Sequence, residues 1–487
     1  MLVSTIWAIL RASVRETMQR VSSHALFVSV AHVITKIAIM GTGGAKNKKK
    51  MKARNFFAVL MGLLSGRTMA YDIAAENADG VTIYYRYEKN GSELQVTYGN
   101  LAYNSYSGDV VVPETVFYKN RLRRVTSVGN SAFAACEDLR SVSLPQSVQH
   151  IGAHAFQSCQ RLHSVNIPDS VGTIENYAFS GCSDLTTVTL PDGLTSIGDC
   201  LFLSCVKLKS IRLSQELRLI GVSAFQACRH LESIQIPDNV ETIARCAFSG
   251  CRNLKEVSFG RKVRTIGDYA FAKCENLKKI LLPDSISTIG HCAFASCERL
   301  KEVVMPDNAV TIGSSAFSGC TGIRRVIFPN LGKLCESKFE NIASNPIHIT
   351  RNLFIGKESI NVLSIPKGVC TIGDYAFRGC KNIVRVEMSE DVTSIGTAAF
   401  QGCENLRYVQ IGKGVRKIKS NAFDCPNLED IEISADVPIA INGNESNVPV
   451  FNQEVCNHAT LHVPMGTRDR YKSKRGWWDF IWIKEKK

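Results

Sequence analysis

A phenylalanine followed three residues later by a cysteine recurs in this chain at a fixed interval of 23 residues. The nine consecutive pairs are Phe133/Cys136, Phe156/Cys159, Phe179/Cys182, Phe202/Cys205, Phe225/Cys228, Phe248/Cys251, Phe271/Cys274, Phe294/Cys297 and Phe317/Cys320. A self-similar unit of this length is too short to bury its own apolar face, so neighbouring units must stack on one another. The spacing therefore predicts a solenoid of repeated coils, whose function belongs to a repetitive surface.

One unit, residues 139–160, contains the pattern L-x-x-V-x-L-P-x-x-V-x-x-I-G-x-x-A-F-x-x-C. Val142 and Leu144 alternate with Ser141 and Ser143, which is the period-two pattern of a strand with one buried face. Strands at the same position of successive units would pair in parallel, about 4.8 Å apart. The repeat therefore predicts a parallel β-sheet along one side of the stack.

The second half of the unit predicts the opposite side of the coil. Val148 and Ile151 indicate a second short inward-facing segment, and Ala155 with Phe156 would fill the interior. Gly152 suits a turn, but Glu, Ala or Lys replaces it in other units, so a positive φ is not required there. The expected fold is a right-handed solenoid coil with a parallel β-sheet on one face, short strands or turns on the other, and β-rich caps at both ends.

The period breaks once along the chain. Phe317 and Phe377 are 60 residues apart, which is not a multiple of 23. We expect an irregular insertion, a distorted coil plus a loop, before three further coils that carry Phe377/Cys380, Phe400/Cys403 and Phe423/Cys425. The predicted organisation is an N-terminal β cap at 71–122, nine coils at 123–329, the insertion at 330–364, three coils at 365–434 and a C-terminal cap at 435–487.

The first 70 residues have the composition of a targeting region. They contain 11 Lys or Arg and one acid, whereas the remainder contains 47 bases and 43 acids. Residues 51–70 combine a basic start, an apolar run and a small-residue end at Ala70, which is typical of a secretory signal peptide. We expect translation to start at Met51, residues 1–50 to be a misassigned extension, and the exported chain to begin after Ala70. The alternative is an apolar anchor at 24–40, which is short for a membrane span.

Both ends of the repeat array carry sequences suited to capping. Residues 81–85 and 94–98 alternate in polarity and are joined through Asn90-Gly91, which predicts a β-hairpin. At the other end, an aromatic plug is predicted from four residues close together, Trp477, Trp478, Phe480 and Trp482. Such caps are needed to cover the terminal coils of a solenoid.

The C-terminal tail is strongly basic. Residues 468–487 contain eight bases and three acids, so the body of the exported chain is close to neutral. Two interpretations remain open: a charged rim on the cap, or attraction to an anionic envelope surface that weakens with salt. Because the exported chain is nearly neutral outside this tail, its charge does not indicate nucleic acid as a partner.

The repeat units resemble the 23-residue leucine-rich repeats of the BspA-like family of bacterial surface proteins. The segments 106–113 and 460–464, the latter with the sequence up to Trp477, are similar to the flanks of such proteins. The resemblance implies a curved leucine-rich-repeat solenoid, export to the cell surface, and adhesion or other protein binding, including to host extracellular-matrix components. This chain departs from the pattern because it lacks a recognisable surface anchor. The repeat class has no family-wide catalytic residues.

The regular cysteines favour buried thiols over disulfides. The Cys position lies next to the core row, and stacked small apolar side chains fill coil interiors. Parallel side chains at strand spacing rarely meet the geometry of a disulfide. A zinc site from Cys456, His458 and His462 is a weak alternative, because no fourth ligand is evident on what is predicted to be a strand.

One part of the outward-facing sheet is apolar. Outward positions of the first strand are mostly polar, but three consecutive ones, Leu281, Val304 and Ile327, are not. The neighbouring outward row carries charges at Lys279, Glu302 and Arg325, and Tyr408 lies further along it. An apolar centre with a charged rim is typical of a protein-binding face. The alternative is that the insertion after Ile327 folds back and covers these residues as a private core.

We therefore expect an exported, non-enzymatic leucine-rich-repeat protein that binds another protein as a cell-surface module or adhesin. No phosphate-binding Gly-rich loop, G-x-S-x-G elbow or H-E-x-x-H motif occurs, and no cofactor, metal or integral membrane span is expected in the exported chain. Two alternatives are a structural envelope scaffold without a specific ligand and a carbohydrate-binding surface protein. The outward rows lack the aromatic platforms that favour sugar binding.

Overall fold

The fold is a parallel β-solenoid, in agreement with the predicted class. The computed structural model describes residues 70–99, 104–441 and 448–486. The predicted extension at 1–50 and almost all of the predicted signal peptide lie outside the described residues. Within the described part of the chain, no helix is long and apolar enough to cross a membrane.

The N-terminal cap continues into both faces of the solenoid. Its strands are β1 (Ile73–Glu76), β2 (Thr82–Glu88), β3 (Glu93–Thr97), β4 (Gly108–Val111), β5 (Thr115–Tyr118) and β6 (Arg121–Val128). The predicted hairpin is present, since β2 pairs antiparallel with β3 around a 3-10 turn at Lys89–Gly91. Strand β4 begins one sheet of the solenoid and β6 begins the other.

The first array alternates two kinds of strand, called here front and back strands. The front strands are β7 (Leu139–Ser143), β9 (Ser164–Asn166), β11 (Thr187–Thr189), β13 (Ser210–Arg212), β15 (Ser233–Gln235), β17 (Glu256–Ser258), β19 (Lys279–Leu281), β21 (Glu302–Val304) and β23 (Arg325–Phe328). The two-residue back strands are β8 (His150–Ile151), β10 (Thr173–Ile174), β12 (Ser196–Ile197), β14 (Leu219–Ile220), β16 (Thr242–Ile243), β18 (Thr265–Ile266), β20 (Thr288–Ile289) and β22 (Thr311–Ile312). The back strands pair in parallel in two runs, β8 with β10, and β12 through β22. The front strands pair in parallel, as the repeat predicts, but in separate short sheets: β7 with β9, β11 with β13, β15 with β17, and β19 with β21 and β23. The sheet that contains β19, β21 and β23 is called here the first front sheet.

The period-two alternation sets the direction of the front side chains. In β11, Val188 is buried whereas Thr187 and Thr189 are exposed. Register keeps like positions together, since Thr187 pairs with Ser210, which is one repeat later. Each outward position therefore forms a row along the sheet.

A column of stacked phenylalanines, the Phe ladder, forms the centre of the core. From Phe133 to Phe317 each ring is fully buried, with neighbouring ring centroids 4.9–5.6 Å apart and planes within 13°. The cysteine of each unit is buried beside it, and in most units its thiol donates to a phenylalanine carbonyl of the preceding coil, as Cys251 does to Phe225 O at 3.1 Å. The predicted burial of these cysteines is confirmed.

A left-handed residue in almost every coil had no signal in the sequence. The residue two before each ladder Phe has φ between 51° and 62° and is not glycine: Ser131, His154, Tyr177, Cys200, Ser223, Cys246, Tyr269, Cys292, Ser315, Tyr375, Ala398 and Asn421. This conformation costs about 1 kcal/mol or more for an L-residue. The cost is offset by hydrogen bonds between coils, such as Cys200 N to Val222 O at 2.8 Å. The repeated glycine of the pattern has a different purpose, because a Cβ on Gly290 would lie only 2.5 Å from Asp268 N.

The insertion is a distorted coil followed by a hairpin. Its elements are α1 (Leu331–Glu336), β24 (Lys338–Phe339), a 3-10 turn (Ile342–Ser344), α2 (Ile347–Thr350), β25 (Phe354–Ile355) and β26 (Glu358–Ser359). Strand β24 extends the back sheet from β22, and β25 extends the front sheet from β23. Strand β26 then turns antiparallel to β25 and ends that front sheet.

The coils after the insertion form a second front sheet. Its strands are β27 (Val362–Ile365), β29 (Arg385–Met388), β31 (Tyr408–Ile411) and β33 (Asp430–Ile433), with back strands β28 (Thr371–Ile372), β30 (Ser394–Ile395), β32 (Lys417–Ile418) and β34 (Ala440–Ile441). Stacking resumes through Phe377, Phe400 and Phe423 and ends on Phe451. The 23-residue register is thus restored on the far side of the insertion.

The C-terminal cap mixes helices and strands. It consists of α3 (Gln453–His458), β35 (Thr460–Pro464), α4 (Arg468–Lys472) and β36 (Trp482–Lys486). The strand predicted for Cys456 and His458 is wrong: both lie on α3, which begins because the Asn452 side chain accepts from Val455 N at 2.8 Å. Cys456 is buried, and His462 contacts Asp430 at 2.8 Å. The described residues contain no cluster suited to a metal ion.

Thiol labelling should separate the cysteines by burial. All 18 lie in the described part of the chain as thiols, and Cys370 is exposed whereas Cys246 and Cys292 are half-buried. Burial raises the pKa of the Cys251 thiol to about 12, so little reactive thiolate forms near neutral pH. In the native protein at about pH 8, we expect one rapid reaction with a thiol reagent at Cys370, slower labelling at Cys246 and Cys292, and full labelling only in denaturant. A Cys370→Ser variant should lose the rapid phase; rapid native labelling of the buried cysteines would contradict this assignment.

Candidate protein-binding face

Four outward apolar residues lie side by side on the first front sheet. Leu281 pairs with Val304, Val304 with Ile327, and Ile327 with Phe354. We call these four residues the apolar row. Leu281 is 56 % exposed, and the other three are half-buried.

The insertion extends this row instead of lying over it. Strand β25 pairs in the plane of the sheet beside β23, which places Phe354 next to Ile327. The hairpin formed with β26 then closes the sheet edge. Leu281 keeps more than half of its surface in contact with solvent, so at least this member of the row is not covered by the insertion.

Charged groups lie in the neighbouring outward row. The ammonium group of Lys279 is 2.7 Å from Glu302, in an ion pair between adjacent strands. The guanidinium group of Arg325 lies 5.2 Å from the centroid of the Phe354 ring and donates to Lys357 O at 3.3 Å. Arg325 thus connects the charged row to the end of the apolar row, while its buried Nε atom has no hydrogen-bond partner.

Tyr408 belongs to a different cluster. It lies on β31 of the second front sheet, beyond the hairpin that ends the first one. The Arg385 guanidinium lies 3.7 Å from the centroid of its ring, and its hydroxyl donates to Glu432 at 2.5 Å. The structure therefore brings together six of the seven residues predicted for this face and separates Tyr408 from them.

Hydrogen bonds and ion pairs in the Tyr408 cluster shift the pKa values of its acidic groups away from neutral pH. Burial and the hydrogen bond to Glu432 raise the pKa of Tyr408 to about 12. Arg385, 2.6 Å from Glu387, lowers the pKa of that carboxyl. Burial raises the pKa of Glu432, but hydrogen bonds from Lys486 and Tyr408 outweigh burial and lower this pKa below its usual value. The face after the insertion is therefore a network of satisfied charges, unlike the apolar row.

Sequence reasoning missed Phe354 as a member of the row. Phe354 lies 27 residues after Ile327, so the 23-residue period does not align the two. The only available signal was the presence of apolar residues inside the insertion. Only the pairing of β25 with β23 places Phe354 in the row.

The fold and this site define a leucine-rich-repeat protein with an open parallel sheet. A family model described as the BspA-type leucine-rich-repeat region matches residues 117–232, 218–345 and 347–444. The chain therefore belongs to the BspA-type leucine-rich-repeat family, as its repeat units indicate. No curated protein matches the chain.

Solved leucine-rich-repeat structures are similar to this chain. One from Bacteroides ovatus has 25 % identity and a TM-score of 0.49, covering 86 % of this chain and 100 % of its own. A leucine-rich-repeat protein of T. pallidum has 31 % identity and a TM-score of 0.37, covering 42 % of this chain and 91 % of its own. A leucine-rich cell surface protein of Faecalibacterium prausnitzii has 20 % identity and a TM-score of 0.33, covering 85 % and 95 %.

Proposed function

We propose that the chain is exported and acts at the cell surface as a non-enzymatic module that binds another protein through the apolar row. The observation that carries the proposal is the alignment of Leu281, Val304, Ile327 and Phe354 on an open sheet face, with Leu281 largely exposed. Export is supported by the signal-peptide pattern that ends at Ala70. The family membership supports protein binding as the class of function.

The physical properties of the row suit a protein partner. Burying apolar surface contributes about 25 cal/mol per Å², and an apolar centre surrounded by charges is the usual anatomy of an interface. Lys279, Glu302 and Arg325 supply the rim on one side. The stacked coils below hold the row in fixed positions, so little ordering entropy is lost on binding. An extracellular-matrix protein of a host is the partner class that the family resemblance favours.

The scaffold alternative predicts no specific ligand and no reason for an uncovered apolar row. In the structure the row is flanked by β25 in the plane of the sheet and Leu281 remains open to solvent. This arrangement favours a binding module over a passive scaffold. A carbohydrate ligand has no comparable support, because the row consists mainly of aliphatic side chains.

Leu281→Asp tests the proposal with little risk to the fold, because the side chain is exposed. Binding of the purified protein to surfaces coated with laminin, fibronectin or collagen would be measured with the wild type and the variant. We expect at least about a tenfold loss of affinity, since a charge must then be desolvated in an apolar contact. The melting temperature should stay unchanged.

Val437→Asp is the matched control, since Val437 is 70 % exposed and lies far along the chain from the row. It should bind as the wild type does. Val304→Asp is a second test of binding through the same face. A lowered melting temperature with binding intact in that variant, or full binding by Leu281→Asp, would defeat the role of the row.

A further inference from the structure

The aromatic plug at the C-terminal end is divided into two faces. Trp477 and Phe480 are buried, as a plug requires, but Trp478, Ile481 and Trp482 are 55 %, 60 % and 54 % exposed. The prediction that all four aromatic residues cover the last coil is therefore right for only two of them. Three large apolar side chains within five residues are left in contact with water.

Local structure explains why these three residues face outward. The turn after α4 is held by bonds from Trp477 N and Trp478 N to Lys474 O, at 3.0 and 3.1 Å. Ile481 N then donates to Cys456 O at 3.0 Å, which directs the chain into β36. On β36 the buried residue is Ile483, so the period-two alternation places Trp482 on the outer face.

Exposed cations lie close in sequence to the exposed apolar side chains, in a segment that also carries the exposed acids Asp469 and Asp479. Arg470, Lys472, Lys474, Arg475 and Lys484 are all exposed, and none forms an ion pair among the residues that the structure describes. Of the three acids in this tail, Glu485 already accepts a bond from a backbone amide, Arg468 N, at 3.1 Å. The cap thus presents two indole rings and an aliphatic side chain in a segment whose exposed cations outnumber its acids.

We propose that this C-terminal cap binds the surface of an anionic lipid bilayer. Indole rings favour the boundary between lipid headgroups and hydrocarbon, because one part of the ring is apolar and its N–H is polar. Lys and Arg side chains at this depth are attracted to anionic headgroups. Ile481 favours lipid over nucleic acid, since an aliphatic side chain gains by leaving water but does not stack on bases. This surface is separate in sequence and sheet from the apolar row.

Vesicle binding by the full chain tests this proposal. Cosedimentation would be measured with vesicles of phosphatidylglycerol and with vesicles of phosphatidylcholine, at low and high salt. We expect binding to the anionic vesicles that weakens as salt rises. Lys472→Glu with Lys474→Glu should weaken it by about thirtyfold or more, and Trp478→Ser with Trp482→Ser by about tenfold. The basic leader is the same in every variant, so differences between variants report on the cap.

Matched controls lie in the repeat array. Arg261→Glu with Lys262→Glu makes the same change of net charge, and the Arg261 side chain is 90 % exposed. Leu281→Ser removes an exposed apolar side chain from the apolar row. Both controls should bind vesicles as the wild type does, which separates this proposal from the one for the row.

A second measurement does not depend on the folding of cap variants. In a Trp7→Phe background the remaining three Trp residues all lie in the cap, and brominated phosphatidylglycerol should quench their fluorescence. Absence of quenching, or equal vesicle binding by the wild type and both cap variants, would overturn the proposal. Loss in the charge variant alone, with equal competition by double-stranded DNA, would overturn it in favour of a soluble polyanion.

Discussion

Phe225→Ala is expected to destabilise the protein by about 4 kcal/mol, the usual cost of removing a fully buried phenylalanine ring. The ring of Phe225 is stacked between Phe202 at 5.4 Å and Phe248 at 5.1 Å, measured between centroids. Alanine leaves a cavity that the neighbouring coils cannot fill, because their backbones are held at strand spacing. Chemical denaturation would measure the loss of unfolding free energy.

The effect should also be local along the stack, because each coil contacts only its neighbours. Amides that link the coils at this level, such as Phe225 N to Ala247 O, should lose protection from hydrogen exchange first. Phe117→Ala is the matched control, since that ring is 68 % exposed and its loss should cost less than about 1 kcal/mol. Equal destabilisation by the two changes would show that ladder stacking is not the main source of stability.

Trp477→Ala is expected to cost a similar amount and to unfold the chain from its C-terminal end. The indole is fully buried, packs against Phe451 and Tyr471, and donates to Ile439 O at 2.9 Å. Removing it opens a cavity of indole size and leaves the Ile439 carbonyl without its partner. We expect a loss of about 4 kcal/mol or more in a denaturant titration.

Hydrogen exchange would locate the damage in this variant. Amides of the last coils, between β31 and β35, should exchange earlier than those of the first nine coils. Trp478→Ala offers a control in the adjacent residue, because that indole is 55 % exposed and its loss should leave the cap folded. If Trp477→Ala left the exchange of the last coils unchanged, the cap would not be needed to protect the end of the stack.

The regular parts of the fold could be predicted because their contacts repeat. Val142 and Leu144 alternate with serines, and the structure buries the first two and pairs their strand with the next unit. The interior position of Phe156 and Cys159 follows in the same way. A residue in such an array contacts the same residue type one unit away, so the period itself specifies the register.

Only part of the candidate site could be predicted from the repeat period. The period aligned Leu281, Val304 and Ile327, and these residues do lie side by side. It gave no position for Phe354, which joins the row through the irregular pairing of the insertion. It also placed Tyr408 further along the neighbouring charged row, but Tyr408 lies on a different sheet, beyond the strand that ends the first one. Register across an insertion depends on loop length and local pairing, and neither is periodic.

The repeat period is enough to predict a stacked solenoid with a phenylalanine and cysteine interior, because a 23-residue unit buries its apolar face only against its own neighbours. Which apolar side chains stay in contact with solvent depends on contacts that become visible only in the folded chain. Phe354 extends an open row since β25 pairs in the plane of the sheet, and Trp478 and Trp482 face water since the turn before β36 buries Trp477 in their place. Both outcomes depend on contacts that occur only once in the chain, in the insertion and in the C-terminal cap, where no period specifies the partner.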